Sequence, residues 1–409
     1  MTLSMLSPEA ELLLLTSAES GEGGGDAGAS APGERRIREL LGGELDWEKL
    51  GWLAERERAA PVLRDRLQAV GGARLPPEAA HLERLAMVAE FRMQHLEQRM
   101  LESLDALAHA PGGGIEMMLL KGAALAVTRY GSFARRPMSD LDLMVRSGAA
   151  QDARDALLRA GWAKSGLEQL EGFFADHHHL PALVDAQGTN VKLEIHTSLF
   201  FRGHPFRLEP RDIWERAQRV DVQGRQAWVP GELDQLLHLC LHFAWSHMMG
   251  SGAWRTFRDL DVLLGSSAVE WQRFIPLAVR TRGASCCYWT FRLAGVVSGV
   301  QVPASVLGAL RPQLPDAVLD RVERHFVQNL LPTEAMCPSI RVGYAMWGVG
   351  IRPRWSGHGA VRPWERSDAF VGQGETGPAL GRMRDHLGRL REWRDYARLV
   401  MGSKGVRVD

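Results

Sequence analysis

Two aspartates separated by one apolar residue form the strongest chemical signal in the sequence. The stretch Ser139–Val145 reads SDLDLMV, so Asp140 and Asp142 alternate with leucine and valine. This period of two predicts a β-strand with both carboxylates on one face and the apolar side chains on the other. Paired carboxylates on a strand suit Mg²⁺, which completes its shell with water and substrate phosphate. The alternative is a strand end with a solvated acidic face.

A glycine turn that could face a phosphate lies upstream of this strand. The short apolar run Ile115–Leu120 ends at Lys121-Gly122, and Ala123–Tyr130 has a helical pattern. Strand, glycine turn, helix and aspartate strand make a βαβ-like order, in which backbone N–H groups near Gly122 face a phosphate at the helix start.

A second alternating stretch supplies a third carboxylate. Val191–Leu199 predicts a strand with Lys192, Glu194 and His196 on one face. The preceding Asp185–Thr189 is typical of a hairpin turn, so Glu194 is expected on the second strand of a hairpin. On a strand beside the two aspartates, Glu194 would complete a metal triad or act as general base for an acceptor hydroxyl.

The ordered set of motifs resembles the DNA polymerase β-like nucleotidyltransferase superfamily, and more narrowly its poorly characterised bacterial nucleotidyltransferase-family proteins. The matching features, spread over about residues 116–264, are LLKG, Tyr130, Arg135 or Arg136, DLDLMV, His177–His179 and LEIH. The superfamily's Gly-Ser turn lies nearer the aspartate pair than Gly122 does. Gly131-Ser132 fits that spacing better, so the choice of triphosphate turn stays open.

The resemblance implies an enzyme that moves a nucleoside monophosphate from a nucleoside triphosphate (NTP) to a hydroxyl, phosphate or amine. The acceptor it implies is a small molecule, peptide or glycan, and the cofactor is Mg²⁺, with two ions bridging the triphosphate. The metal ligands would be Asp140, Asp142 and Glu194. The residues expected to contact the nucleotide are Lys121, Gly122, Ser132, Arg135 and Arg136. A planar guanidinium suits phosphate oxygens, but the sequence does not choose between the two arginines.

Other groups of histidines and aspartates in the sequence resemble metal-binding motifs. Consecutive residues point in different directions, so we expect a surface or acceptor-pocket role for His177–His179 rather than three-fold coordination. His238 and His242 are one helical turn apart but lack the glutamate of the zinc-protease pattern, which favours core or pocket histidines. A second aspartate pair, Asp259 and Asp261, has a helical pattern that turns its side chains roughly 200° apart. We therefore do not expect it to bind the metal.

Composition narrows the possible partners and location. At ~150 residues per domain, 409 residues predict two or three domains. A formal net charge of zero provides no basic field for nucleic acid or an anionic membrane. Four cysteines without CxxC spacing predict reduced core residues in a cytoplasmic protein. No apolar run approaches transmembrane length.

We predict an α+β fold, with a nucleotidyltransferase palm containing a small mixed β-sheet, flanked by N-terminal helices and a C-terminal helical domain. The predicted divisions are an N-terminal segment and flexible linker (1–34), an N-terminal helical region (35–110), the palm (111–230) and the C-terminal helical domain (231–409). A long helix from Pro77 to Ala108 is expected to pack on the sheet. Residues 17–34 are expected to be flexible, 348–378 to form a long loop, and Gly381–Met401 a helix.

Two other functions fit the same motifs. One is a nucleotide-binding or scaffolding protein with this fold and little turnover. The other is a toxin–antitoxin type nucleotidyltransferase that modifies a protein or tRNA. Neutral charge disfavours tRNA, and the helical C-terminal region is larger than such a minimal module needs.

Overall fold

A mixed sheet of seven strands lies at the centre of the computed structural model. The structure describes residues 6–18, 32–72, 75–166, 174, 177–189, 191–266, 268–331 and 340–351. The strands are β1 (Met117–Leu119), β2 (Asp140–Val145), β3 (Trp162–Lys164), β4 (Leu183–Asp185), β5 (Lys192–His196), β6 (Gln218–Val222) and β7 (Arg225–Val229). Their order is β3-β4-β5-β2-β1-β7-β6. The pairs β2–β5 and β1–β7 are parallel and the others antiparallel, so the predicted mixed sheet is confirmed.

Helices precede, interrupt and follow the strands. Before the sheet they are α1 (Pro8–Leu15), α2 (Pro32–Leu41), α3 (Trp47–Glu57), α4 (Ala60–Gly71) and α5 (Ala80–Ala108). Within it they are α6 (Lys121–Leu125), which continues as a π-helical turn (Ala126–Tyr130), α7 (Ala150–Arg159) and α8 (Pro210–Glu215). After it come α9 (Glu232–Leu241) with a π-helical turn (His242–Ser246), α10 (Ala253–Ser266), α11 (Trp271–Arg280), α12 (Ala284–Ser298), α13 (Ala304–Leu310), α14 (Asp316–Asn329) and α15 (Ile340–Ile351).

The long helix α5 packs against the sheet as predicted. Its apolar residues recur every three or four positions, and Met93, Leu96 and Leu104 are buried in one cluster with Leu141 and Leu143 of β2. Because successive side chains of a strand point to opposite faces, this packing leaves the aspartates of β2 on the face away from α5.

The N-terminal and C-terminal helices share one hydrophobic core. Leu12, Leu13 and Leu14 of α1 are fully buried in the cluster that contains α9–α12. The hydroxyl of Ser17, just after α1, lies 2.9 Å from that of Ser298 at the end of α12. A helix as short as α1 is only marginally stable by itself in water, so its packing against the C-terminal helices stabilises it.

Some predicted elements differ in the structure. Strands β1 and β2 are antiparallel, because the helical connection returns the chain beside β1 in the opposite direction, so the βαβ-like expectation is wrong in strand direction. Residues 32–34 of the predicted linker begin α2, and residues 348–351 of the predicted loop end α15. The rest of that loop and the helix Gly381–Met401 lie outside the described residues.

The predicted hairpin around residues 185–189 is confirmed as β4–β5, and β6 and β7 form a second antiparallel pair around Gly224. Among the described helices, none is both long enough and apolar enough to cross a membrane.

Candidate active site

The parallel pairing of β2 with β5 brings the predicted acidic residues together. Asp142 lies directly opposite Glu194 in the register, and Asp140 lies opposite Lys192. Neighbouring strands are about 4.8 Å apart, so paired side chains on the same face are within reach of one ion. The two motifs are more than fifty residues apart in the chain, and the sheet makes them neighbours.

Asp142 is the most heavily bonded of the carboxylates. Its Oδ1 accepts from Lys121 Nζ at 2.7 Å and lies 2.8 Å from His196 Nε2. The same His196 nitrogen is 3.4 Å from Glu194 Oε2. Asp142, Glu194 and His196 each offer a ligand atom within 4.8 Å of the others, a group of described residues that does not include Asp140. His196, whose role the sequence left open, thus stands among the potential ligands.

Opposite charges set the protonation of this group. Burial alone would raise the pKa of Asp142, but Lys121 and His196 outweigh burial and hold it well below its usual range. Burial opposes the charge on Lys121 and His196 as well, yet the carboxylates raise the pKa of both. The hydrogen bond from His196 likewise lowers the pKa of Glu194 against the effect of burial. Each charged form in this group is therefore stabilised by its oppositely charged neighbours.

Asp140 differs from Asp142 and Glu194 because its pKa is raised rather than lowered. Burial raises its pKa, and repulsion from Asp142 and Glu194 raises it further. The only short side-chain bond described for its carboxylate is from Ser139 Oγ, at 3.0 Å. Three carboxylates lie on this face of the sheet, and their hard oxygen donors fit a divalent cation.

The turn after β1 lies against the aspartate strand. The amide of Leu120 donates to the Asp142 carbonyl at 3.0 Å, and Lys121 has a left-handed backbone with φ of 47°. A non-glycine residue in this region is strained, and here the Lys121 ammonium contacts the Asp142 carboxylate. A Cβ at Gly122 would lie 3.2 Å from the Met138 sulfur and 3.4 Å from Arg136 Nη1, so glycine lets this turn approach the loop before β2.

The alternative turn, Gly131-Ser132, lies at the end of the π-helical turn. Gly131 has φ of 66° and is exposed, and the Ser132 hydroxyl accepts from the Ala134 amide at 3.2 Å. The structure thus brings Lys121 into contact with the Asp142 carboxylate, while the part of each turn in nucleotide binding stays a prediction.

The two adjacent arginines have different surroundings. Arg135 is exposed, whereas Arg136 is buried and donates from Nε and Nη2 to the Asp259 carboxylate at 2.5 and 2.7 Å. The Tyr130 hydroxyl donates to the same carboxylate at 2.8 Å. Asp259, on α10, therefore holds the loop before β2 against the C-terminal helices. This geometry agrees with the prediction that its Asp-x-Asp pair is not the metal site.

Two arginines that the sequence did not single out approach the acidic face. Arg58, just after α3, and Arg255, on α10, are half-buried and interact electrostatically with Asp140 and Arg136. Burial lowers the pKa of both, and mutual repulsion between these guanidinium groups adds to that effect. The buried Nε of Arg58 has no hydrogen-bond partner within the described part of the chain. No spacing rule links these residues to β2, because only the packing of α3 and α10 brings them there.

The histidine tract converges, contrary to expectation. Ring nitrogens of His177, His178 and His179 all lie within 4.8 Å of one another. The alternation of a regular strand does not apply, because His177 and His178 lie in a bend and only His179 pairs with β5, through a bridge to His196. The tract adjoins the acidic group, since the rings of His178 and His179 are each 5.2 Å from that of His196.

Of the C-terminal histidines, His238 is buried and His242 and His247 are half-buried. His238 and His242 stack edge to face at 5.8 Å, and His242 is 4.5 Å from His247. Burial, with the positive charges of Lys121 and His196, lowers the pKa of His238 to about 3. The pKa of His247 falls to about 4 because of burial and Arg255. These imidazoles are therefore neutral at neutral pH.

A mixed sheet with helices around it, and with acidic residues paired at its centre, is the α+β architecture expected of a nucleotidyltransferase. The family comparison agrees with this class. Residues 43–298 match the model of a family described as uncharacterised nucleotidyltransferases, and the protein belongs to that family because the match spans more than half of the chain. No match was found among curated proteins or among solved structures. Membership supports nucleotidyl transfer as the general activity.

Proposed function

We propose that the protein is a Mg²⁺-dependent enzyme that transfers a nucleoside monophosphate from an NTP to a hydroxyl, phosphate or amine. The observation that carries this proposal is the pairing of Asp142 with Glu194 across two parallel strands, with Lys121 bonded to the same carboxylate. This arrangement concentrates charge where a triphosphate and its cation would meet. Phosphoryl-type transfer depends mainly on positioning and charge neutralisation, so few side chains need to do chemistry.

In this proposal Asp140, Asp142 and Glu194 hold the divalent cations, and His196 borders them. The donor set favours the assignment, because Asp140 is repelled by Asp142 and Glu194, and a bound cation would relieve that repulsion. When bound, such ions neutralise the triphosphate and the charge that develops on the leaving pyrophosphate. Lys121 lies on the same face and supplies a further positive charge from the protein itself.

The triphosphate would lie between the Lys121-Gly122 turn and the arginines near Asp140. Arg58 and Arg255 are half-buried guanidinium groups that repel one another, so an anion between them would relieve unfavourable charge. Arg135 is exposed and can reach solvent-borne phosphate, while Arg136 keeps the loop in place through Asp259. Ser132 and its turn would contact the nucleotide from the end of the π-helical turn.

The acceptor would approach Glu194 from the side of the histidines. Glu194 can accept the proton of an acceptor hydroxyl, a role that needs a carboxylate near the attacking oxygen. We propose a small molecule, peptide or glycan as acceptor. We also propose a cytoplasmic location, where the buried thiols of Cys240, Cys286 and Cys287 stay reduced.

An assay of pyrophosphate release tests this proposal. The full-length protein is incubated with each NTP, Mg²⁺ and fractionated cell extract as the source of acceptor, and mass spectrometry identifies any nucleotidylated product. We expect Asp142→Asn to lower the rate by about 10²–10³-fold, since stabilisation of several kcal/mol is lost with the cation. Asp155→Asn, on the exposed face of α7, is the control and should keep the wild-type rate. Wild-type pyrophosphate release by the Asp142 variant would contradict the assignment.

One observation favours a second candidate, a nucleotide-binding protein with little turnover. Lys121 and His196 both contact the same oxygen of Asp142, so this carboxylate is already charge-paired without a cation. Calorimetry with each NTP, with and without Mg²⁺, separates the two functions. Equal affinity in both conditions, with no pyrophosphate released, supports the binding protein, whereas Mg²⁺-dependent binding with release supports the enzyme.

A further inference from the structure

The histidine tract His177–His179 has the features of a separate metal site. Its ring nitrogens lie within 4.8 Å of one another, and its rings are half-buried, so ions can reach them from solvent. The ring centroids are 5.2 Å apart for His177 and His178, 5.0 Å for His177 and His179, and 4.7 Å for His178 and His179.

The backbone that carries these rings is held by strand β5. The Leu180 amide donates to the Ile195 carbonyl at 2.9 Å, and the Thr197 amide donates to the His178 carbonyl at 2.8 Å. His179 itself pairs with His196 through the bridge that extends the sheet. Ligands positioned by a sheet lose little freedom when an ion binds, which favours affinity.

Hydrogen bonding determines which ring nitrogen of His179 can act as a metal ligand. Its Nδ1 lies 2.8 Å from the Leu180 carbonyl oxygen, which can only accept, so Nδ1 carries the proton. The lone pair is then on Nε2, which lies 3.9 Å from Glu194 Oε2. A histidine whose other nitrogen donates to a backbone carbonyl is the usual form of a metal ligand.

The other two rings can complete the set. The Nδ1 of His178 is buried and has no hydrogen-bond partner among the described residues, an unfavourable state that a bound ion would remove. Tetrahedral Zn–N bonds of about 2.1 Å place imidazole nitrogens about 3.4 Å apart. Because the nitrogens already lie within 4.8 Å, small side-chain rotations reach this spacing.

We infer that His177, His178 and His179 bind a borderline divalent cation of the Zn²⁺ class, at a site distinct from the carboxylates proposed for Mg²⁺. Imidazole suits zinc and its neighbours in the first transition row, whereas Mg²⁺ prefers oxygen. The site goes beyond the proposed nucleotidyl transfer and does not depend on it. Glu194 lies between the two groups, and water would supply the fourth position of the histidine site.

Titration of the metal-free full-length protein with Co²⁺ and with Zn²⁺ tests this inference. Co²⁺ bound to nitrogen ligands in tetrahedral geometry absorbs visible light, and calorimetry measures the affinity for Zn²⁺ directly. We expect one equivalent of each ion to bind in the presence of excess Mg²⁺. Loss of an outer-shell partner typically weakens metal binding by about 10–100-fold. The double variant His178→Gln/His179→Gln removes two ligands, so we expect it to weaken Zn²⁺ binding by more than that. It should also abolish the Co²⁺ spectrum.

Three controls make the outcome unambiguous. His109→Gln removes an exposed histidine at the end of α5 and should bind both ions as wild type does. Asp142→Asn should lose nucleotidyl transfer yet keep the Co²⁺ spectrum, so failure of the proposed function stays distinguishable from failure of this site. Circular dichroism of the double variant establishes that it folds. Unchanged Zn²⁺ affinity in the double variant, or binding lost in Asp142→Asn and kept in the double variant, would overturn the inference.

Discussion

The buried ion pair between Arg136 and Asp259 offers a quantitative test of how the aspartate strand is held. Asp259 is 1% exposed and Arg136 is 9% exposed, and two hydrogen bonds of 2.5 and 2.7 Å join them. Removing one partner leaves the other charge buried without compensation. We therefore expect Arg136→Met or Asp259→Leu to lower the free energy of unfolding by about 3–5 kcal/mol each.

The double variant isolates the interaction energy between Arg136 and Asp259 from the interactions that each residue makes with the rest of the protein. Arg136→Met/Asp259→Leu removes both charges, so its loss should be far smaller than the sum of the single losses, with a coupling energy of about 3 kcal/mol. Urea denaturation with linear extrapolation measures each value. Arg135→Met is the matched control at an exposed neighbour, and its effect should stay within about 0.5 kcal/mol. A coupling energy below about 0.5 kcal/mol would refute the reasoning.

The same variants distinguish an anchoring arginine from a nucleotide-binding one. If Arg136 acts through Asp259, both single variants should change the KM for NTP by similar factors, because both release the loop before β2. If Arg136 contacts the triphosphate, Arg136→Met should raise that KM much more than Asp259→Leu does. Steady-state kinetics at a fixed Mg²⁺ concentration decides between these two roles.

Two further predictions concern charge and pH. Arg58→Gln should raise the KM for NTP about 10–100-fold, as expected for a lost charged hydrogen bond. The Arg58→Gln substitution also removes repulsion among guanidinium groups, which offsets the contacts that it loses. We therefore expect the free energy of unfolding to fall by no more than about 0.5 kcal/mol. Burial lowers the pKa of His325 to about 4 in the folded protein. As the pH falls, His325 is therefore protonated in the unfolded chain before it is protonated in the folded protein. Between pH 7 and 5 the wild type should therefore lose about 2 kcal/mol more stability than His325→Gln.

Each of these predictions has a matched control. Arg56→Gln alters an exposed arginine near Arg58 and should leave the KM for NTP unchanged. An unchanged KM in the Arg58 variant would show that this guanidinium does not contact the triphosphate. For the pH effect, His109→Gln removes an exposed histidine and should unfold with the wild-type pH profile. Identical profiles for wild type and His325→Gln would contradict the neutral buried state of His325.

Local patterns in the sequence were sufficient for the strands and helices that form the centre of the site. The alternation around Asp140 and Asp142 and that around Glu194 each define a strand with one apolar face, and burial of that face against α5 is what makes the pattern informative. The hairpin before Glu194 was predictable from its turn residues. The direction of β1 relative to β2 was not, because a short helical connection is compatible with either orientation.

The sequence by itself determined which residues could share a face of a strand, since that follows from a period of two along the backbone. Tertiary structure alone decided which residues meet across elements. It placed Asp142 opposite Glu194, paired Arg136 with Asp259, brought Arg58 within electrostatic range of Asp140 and brought the three histidines together beside the sheet. Such contacts depend on the packing of distant segments, and the spacing of residues along the chain does not encode the distance between them in space.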